Sequence, residues 1–435
     1  MNTISELPKK FIERMEKQLP ECEREAFFGV YGKKPFKGVR INDVKGEKDE
    51  IVSVLPFLGA PVAWEKNGYY TSLEKLGSSP FHHAGLFYSQ EPSAMSAVPY
   101  LDVQKGERVL DLCSAPGGKS TQIASYLQGD GILVSNEPYG ARAKILSQNI
   151  ERLGVKNAVV LCEMPETLAK RFPAYFDKIL IDAPCSGEGM FRKNAEEALS
   201  EWSEENVALC ASRQKQILDE GTKMLKKGGR LVYSTCTFSE EEDEGRVRDY
   251  LDSHPEMKLL KTEKLYPHKI DGEGHFVAVF EKTDGEERRE LRLATARVTQ
   301  ASLKAYKAFE KEFFALSPYR NLHEVNGTLY ALPNGVFEWQ GLQILRVGVK
   351  LGEVKNNRFE PSHALGMSVK KCECKNTLDF AVDDMRVEKY LRGETVSGDL
   401  QNGWCLVCVA GFPLGLGKAV NGVIKNHLPK GLRKF

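Results

Sequence analysis

Between residues 108 and 282, short apolar runs alternate with longer amphipathic stretches, the pattern of a doubly wound α/β fold. Residues 108–112 predict a buried strand, then a glycine-containing turn and a helix over 120–127. Residues 132–135 predict the next strand and 139–153 the next helix, closed by Gly154 as a C-cap. Residues 158–161, 178–181 and 230–233 read as further strands. A long helix over 205–226 stands before the last of these, with Gly228 and Gly229 expected to end it. Residues 275–280 read as a closing strand. In such sheets ligands bind beyond the carboxyl ends of the strands, and each motif described below falls at one of those ends.

The charged stretch at 282–290 (KTDGEERRE) breaks this alternation, and 294–316 reads as a helical connector. A weaker boundary lies at 77–80 (GSSP). The expected organisation is an N-terminal α+β module at 1–100, an α/β domain at 101–282 and a linker at 283–300. An intermediate subdomain at 301–375 and a C-terminal α+β/β module at 376–435 complete it. At ~100–200 residues per domain, 435 residues accommodate this count.

Composition narrows the class. With 41% hydrophobic and 28% charged residues, the chain is ordinary globular protein. No apolar run approaches the ~20 residues a membrane helix needs, and the polar start lacks the apolar stretch of a signal peptide. A cytoplasmic protein is expected. Net charge is +1, so no global field draws it to nucleic acid and only local patches could. One patch is plain: residues 410–435 hold no acid but carry Lys418, Lys425, Lys430, Arg433 and Lys434. Ten cysteines in a reducing compartment point to thiol chemistry or metal rather than disulfides.

The first strand runs into Cys113-Ser114-Ala115-Pro116-Gly117-Gly118-Lys119. Small residues and two glycines allow backbone to approach a ligand, and the following helix offers free N–H groups. The spacing is neither G-x-G-x-x-G nor a P-loop, because no glycine precedes Gly117 at the required position. An NTPase is therefore disfavoured. Glu137, about 20 residues on, ends the second strand, where an acid can bind both ribose hydroxyls of a nucleoside cofactor. Arg142 on the next helix and Glu163 after the third strand complete the candidate cofactor set, Glu163 on the adenine side.

The fourth strand ends in Asp182-Ala183-Pro184-Cys185 and the fifth in Ser234-Thr235-Cys236-Thr237, so two thiols face one crevice. A thiolate adds reversibly to electron-poor carbon. Addition at C6 of cytosine makes C5 enamine-like and open to methylation. Asp182 can meet the N3/N4 edge of the base, with Lys119 orienting it. On this reasoning either cysteine could be the attacker. Cys113, Cys162 and Cys210 read as small buried residues. Cys372, Cys374, Cys405 and Cys408 invite a zinc test, but C-x-x-C on one strand points its thiols to opposite faces. No metal is expected.

CSAPGGK at 113–119, DAPCSGEGMFRK at 182–193 and STCT at 234–237 resemble the signature motifs of the Sun/Nol/Nop family of RNA cytosine-5 methyltransferases, in its bacterial ribosomal RNA branch. Arg40-Ile41-Asn42, YSQEPS at 88–93, GEGHF at 272–276 and NGVIKNHLPKGLR at 421–433 extend the resemblance along the chain. It implies a Rossmann-like domain that uses S-adenosylmethionine, with a PUA-like RNA-binding module at the C-terminus. It also implies that Cys236 attacks C6 and that Cys185 assists release. The loop around Glu163 departs from the family pattern. The expected substrate is small-subunit (16S) rRNA near the decoding centre, acted on by a monomer. Rival readings are a tRNA substrate or a catalytically idle ribosome-assembly factor. Arg192 and Lys193 are candidate phosphate contacts.

Overall fold

The computed structural model describes residues 7–434. Two helices open it, α1 (Lys9–Gln18) and α2 (Glu21–Gly29). A four-stranded antiparallel sheet follows, built from Gly38–Ile41, Leu58–Pro61, Gly68–Thr71 and Phe87–Ser89.

The central sheet contains β1 (Arg108–Asp111), β2 (Ile132–Asn136), β3 (Ala158–Leu161) and β4 (Phe176–Asp182). It continues with β5 (Leu225–Thr235), β6 (Met257–Leu265), β7 (His275–Lys282) and β8 (Ile344–Val347). The spatial order is β6-β7-β5-β4-β1-β2-β3-β8. Strands β1 to β5 are parallel, while β7 is antiparallel to β5 and to β6. The chain leaves β1 for β2 on one side and returns to β4 on the other. A crevice therefore opens at the carboxyl ends of β1 and β4.

Alternate residues feed opposite faces, as a pleated strand requires. Leu110, Ile179 and Ile181 pack in one core with Ile217 and Leu218 of α5 (Glu204–Met224). Val109 and Leu180 pack on the other face with Ile123 of α3 (Gly118–Leu127) and Leu146 of α4 (Gly140–Arg152). Burial on both faces explains the continuous apolar runs of β1 to β3.

Three features depart from expectation. Helix α5 ends at Met224, and the glycine pair lies inside β5. Gly228 has φ +71°, and a Cβ on Gly229 would meet Leu225 Cδ1 at 2.7 Å. The pair bends a strand instead of stopping a helix. The charged stretch at 282–290 is tied to the domain: Glu290 accepts from Arg108 at 2.7 Å, and Arg288 pairs with Asp177. The connector is extended until the helix Gln300–Phe313, where Thr299 Oγ1 caps Ser302 N–H.

The C-terminal region adds β8 to the catalytic sheet, antiparallel to β3. It also builds a four-stranded antiparallel sheet (Leu322–Val325, Thr328–Ala331, Val349–Lys355, Arg358–Pro361). A curled five-stranded sheet lies beyond it, with Gly403–Val409 and Phe412–Val420 at its centre. Ile41, Phe81 and Phe87 from the N-terminal module share one core with Tyr390, Val407 and Leu414 from this sheet. Among the described residues, no helix is long and apolar enough to cross a membrane.

Candidate active site

The turn from β1 into α3 needs its first glycine for conformation. Gly117 has φ +112°, a region where a Cβ is strained. A Cβ on Gly118 would meet Tyr88 Cε1 at 3.2 Å, so its bareness serves packing of the N-terminal module. Sequence reasoning had assigned both glycines to ligand approach. The module grips the same helix through Arg40, which is fully buried and donates to Thr121 Oγ1 at 2.6 Å and Gly118 O at 3.2 Å. Below the turn, Ser114 Oγ donates to Asp111 O and Ser120 Oγ to Asp111 Oδ2, each at 2.6 Å. Asp111 Oδ1 is buried without a hydrogen-bond partner among the described residues. Burial pushes this carboxyl up to about 7.

Glu137, 2% exposed, ends the turn after β2. Its Oε1 accepts the Tyr139 N–H at 3.1 Å, and its Oε2 lies 3.5 Å from Arg142, which also donates to Ala115 O. Arg142 thus ties the acid to the β1–α3 turn. A cleft of about 390 Å³ runs from here to the thiols, lined by Cys113, Ala115, Glu137, Arg142, Asp182, Cys185 and Cys236. Ser114, Pro116, Gly117, Gly118 and Lys119 belong to the turn and helix start that follow the lining residue Cys113. Glu163, after β3, accepts the Gln343 N–H on its Oε1 at 2.7 Å just before β8. Its carboxylate holds the C-terminal extension, and Met164, Pro165 and Glu166 line the cleft in its place.

Across the cleft, Asp182 Oδ2 lies 2.8 Å from Lys119 Nζ, and its Oδ1 accepts from Ser234 Oγ at 2.8 Å. Burial pushes the Asp182 carboxyl up, but Lys119 and these hydrogen bonds outweigh it and hold it below the usual carboxylate range. His275 is buried 3.9 Å from Asp182 Oδ1, with neither ring nitrogen hydrogen-bonded among the described residues. Burial and Lys119 push it down to about 3, so the ring is neutral.

The two thiols touch. Cys185 Sγ and Cys236 Sγ are 3.2 Å apart, and the Cys236 N–H donates to Cys185 Sγ at 3.3 Å. The hydrogen bond to Cys236, then burial, holds the Cys185 thiol well above its ordinary value. Two buried carboxyls lock the cysteine loops together reciprocally. Glu242, from the loop after Cys236, accepts the Ser186 N–H at 3.0 Å. Glu188, from the loop after Cys185, accepts the Phe238 N–H at 3.1 Å. Gly189 N–H adds a bond to Cys236 O at 2.9 Å. Both loops also insert an aromatic into the N-terminal helices: Phe191 stands 4.9 Å from Phe11 and Phe238 5.5 Å from Phe27, ring centre to ring centre.

Sequence reasoning missed Glu188, Glu242, His275 and Arg40 as parts of this site. Glu242 sits in an acidic run (SEEEDEG) that reads as a solvated face, and only its neighbourhood with Cys236 hinted otherwise. Arg192 is engaged elsewhere, its guanidinium bound to both oxygens of Glu273 and its side chain 4% exposed. Lys193 remains exposed. Cys405 and Cys408 pack into two different cores, and Cys372 is exposed. Among the described residues, no group of three or more His, Cys, Asp or Glu is arranged to hold a metal.

Residues 98–287 match the family described as 16S rRNA methyltransferase RsmB/F. Residues 7–92, 308–369 and 377–434 match the N-terminal, first C-terminal and PUA domains described for RsmF. Ribosomal RNA small subunit methyltransferase F of Vibrio vulnificus is 32% identical, over 98% of this chain and 97% of that protein. Its namesake from Aliivibrio salmonicida is 31% identical over the same shares. A methyltransferase homologue from Pyrococcus horikoshii superposes with TM-score 0.56 at 27% identity, covering 63% of this chain and all of that one. NSun6 from the same organism, solved with SFG, gives TM-score 0.59 at 21% identity over 64% of this chain and 99% of that one, a likeness of fold. With the thiol pair and the cofactor-type cleft in place, the chain belongs to the RsmF branch of the RsmB/F family of 16S rRNA methyltransferases.

Proposed function

We propose that this S-adenosylmethionine-dependent RNA methyltransferase methylates C5 of a cytosine in 16S rRNA, near the decoding centre, through a transient Cys236–C6 adduct. The observation that carries the reading is one cleft that joins a buried ribose-type acid, Glu137, to two touching thiols and the Lys119–Asp182 pair.

The residues present fit the cofactor. Glu137 can accept hydrogen bonds from ribose hydroxyls. Tyr139 and Met164, apolar yet more than half exposed at the cleft, offer faces for an adenine. The unpartnered Asp111 Oδ1 and the N-terminus of α3 flank the turn that brings Cys113 and Ala115 to the cleft. When bound, the cofactor supplies an electrophilic methyl group. The chain's own residues do the rest. Asp182, fixed by Lys119, meets the N3/N4 edge of a cytosine drawn out of its stack. The Cys236 thiolate adds to C6, and the displaced π electrons make C5 nucleophilic. After methylation, removal of the C5 proton restores the double bond and expels Cys236 as thiolate. Cys185, in contact with Cys236, is assigned that proton: once Cys236 is bound to C6 and its charge is gone, Cys185 loses its own proton to solvent and its thiolate takes the one from C5. The family resemblance separates attacker from releaser; the contact supports only that the two thiols work as a pair.

Lys418 and Lys425 face each other on adjacent strands, both exposed. Like charges in directly opposed positions destabilise a sheet pair, which supports a polyanion as their partner and the terminal module as an RNA grip. Action on rRNA supports a cytoplasmic enzyme. The modules complete shared cores within one chain, which supports a monomer.

The test is Cys236→Ala and Cys185→Ala on 16S rRNA or small subunits. Cys236→Ala is expected to lose methylation by at least ~10³-fold and to form no adduct. Cys185→Ala is expected to accumulate a slow-migrating protein–RNA band in denaturing gels. Full methylation by Cys236→Ala would falsify the assignment.

A further inference from the structure

Two adjacent thiols pose a problem that the reaction scheme leaves open: which one ionises. Glu242 is bound directly to the backbone just after Cys185 and, through Gln214, to the backbone just before it. Its Oε2 accepts the Ser186 N–H at 3.0 Å and the Gln214 amide at 2.8 Å. The same Gln214 amide donates to Pro184 O at 3.0 Å. Tyr233 Oη donates to Glu242 O at 2.7 Å and fixes its loop. Glu242 is fully buried, and its Oε1 has no hydrogen-bond partner among the described residues.

We propose that Glu242 is a positioning residue that assigns the thiols their roles: its charge keeps the proton on Cys185 and leaves Cys236 to ionise. The inference rests on the thiol reading above. A carboxylate near a thiol raises the cost of a second negative charge, and the field of Glu242 reaches Cys185. The groups facing Glu242 are Gln214 and Cys210 on α5, Cys185, Ser186 and Glu188 on the fourth-strand loop, and Tyr233 on β5. Asp243 and Arg246 act on Tyr233 and Arg213 on Cys210, whereas the Glu242 carboxylate itself takes its hydrogen bonds from uncharged donors, the Ser186 N–H and the Gln214 amide. The retained proton lies on Cys185, whose Sγ also accepts the Cys236 N–H, and it can be shared toward Cys236 Sγ. Burial pushes the Glu242 carboxyl up to about 7, which makes the charge, and with it the division of roles, sensitive to pH.

Glu242→Gln is nearly isosteric. Its amide oxygen can take both donors at the Oε2 position, and the amide nitrogen replaces the unpartnered oxygen. The full-length protein, without RNA, would be alkylated with iodoacetamide from about pH 5.5 to about pH 9, and labelling of the two cysteine peptides compared by mass spectrometry. In the wild type the Cys236:Cys185 ratio is expected to rise as pH passes through about 7. In Glu242→Gln the inflection disappears, and the ratio above it falls by roughly fivefold or more. A folded variant with the wild-type ratio and inflection overturns the proposal. Should the variant fail to fold, the wild type decides: a ratio flat across the range overturns it, and an inflection supports it. Because alkylation needs neither substrate, failure here is distinct from failure of Cys236→Ala to abolish methylation.

Discussion

Lys119 shows how one side chain organises the site. It is nearly buried and makes the 2.8 Å bond that counters the burial of Asp182. Lys119 is buried while Asp182 is one-third exposed to the cleft, so breaking the pair leaves the carboxylate without its counter-charge but still partly solvated. Lys119→Met is expected to lower turnover by ~10²-fold or more. With the cation gone, burial dominates and the Asp182 pKa rises. The acid limb of the methylation rate profile should therefore shift to higher pH, which a pH–rate series on the variant checks. An unshifted limb would mean that Lys119 serves stability alone. At this scale CSAPGGK, DAPC and STCT were legible, because strand-end motifs declare their own position. Glu242, Glu188 and His275 were not, because polarity in a loop carries no record of burial. Glu163 was legible only in part, for a related reason. Its position after β3 was right for a ligand, but the backbone it holds arrives from 180 residues later in the chain.

At the scale of elements, the catalytic loops take their shape from the N-terminal helices as much as from their own strands. Phe11, Phe27, Phe191 and Phe238 belong to one aromatic cluster. Phe27→Ala is expected to destabilise by about 3–5 kcal/mol and lower the melting temperature. It should also slow methyl transfer by roughly tenfold or more, because a small misplacement of reacting groups is costly. Cofactor affinity, set on the far side of the cleft, should change little. Calorimetry and equilibrium cofactor binding on the variant separate these effects, and an equal loss in both would refute the division. The strands themselves were readable from periodicity. The start of β5 was not: a glycine pair after a helix looks like a stop signal, and only pairing with β4 reveals a bend within a strand.

At the scale of the whole molecule, N-terminal and C-terminal modules close on each other around a shared core, with half-buried histidines at the seam. Burial pushes His82 down to about 3, and His83 and His363 to about 4. Each is neutral when folded and has an ordinary value of 6.5. The stability they contribute is full above that value and is lost as pH falls toward the folded values. Asp111 and Glu242 act in the opposite sense. Their raised values mean stability that is present below the ordinary carboxylate range and lost as pH rises through about 7. Both effects act between about pH 4 and about 7 and oppose each other there; with three histidines against two carboxyls, the melting temperature is expected to rise across that window and level off above it. His83→Gln should flatten the rise, and thermal scans of both proteins across pH would show it. This closure was hidden in the sequence, because apolar residues 300 positions apart carry no sign of contact.

The eighth strand gives that closure a consequence in time. Protein is made from its N-terminus, so β8 leaves the ribosome well after β3. Until then β3 is an edge with unpaired backbone groups, and Glu163 lacks the Gln343 N–H that it holds in the finished fold. The catalytic sheet of a growing chain stays unfinished until most of the polypeptide has emerged. Completion of the catalytic sheet is thus tied to synthesis of the C-terminal region, and a chain ended before β8 leaves β3 as an exposed edge.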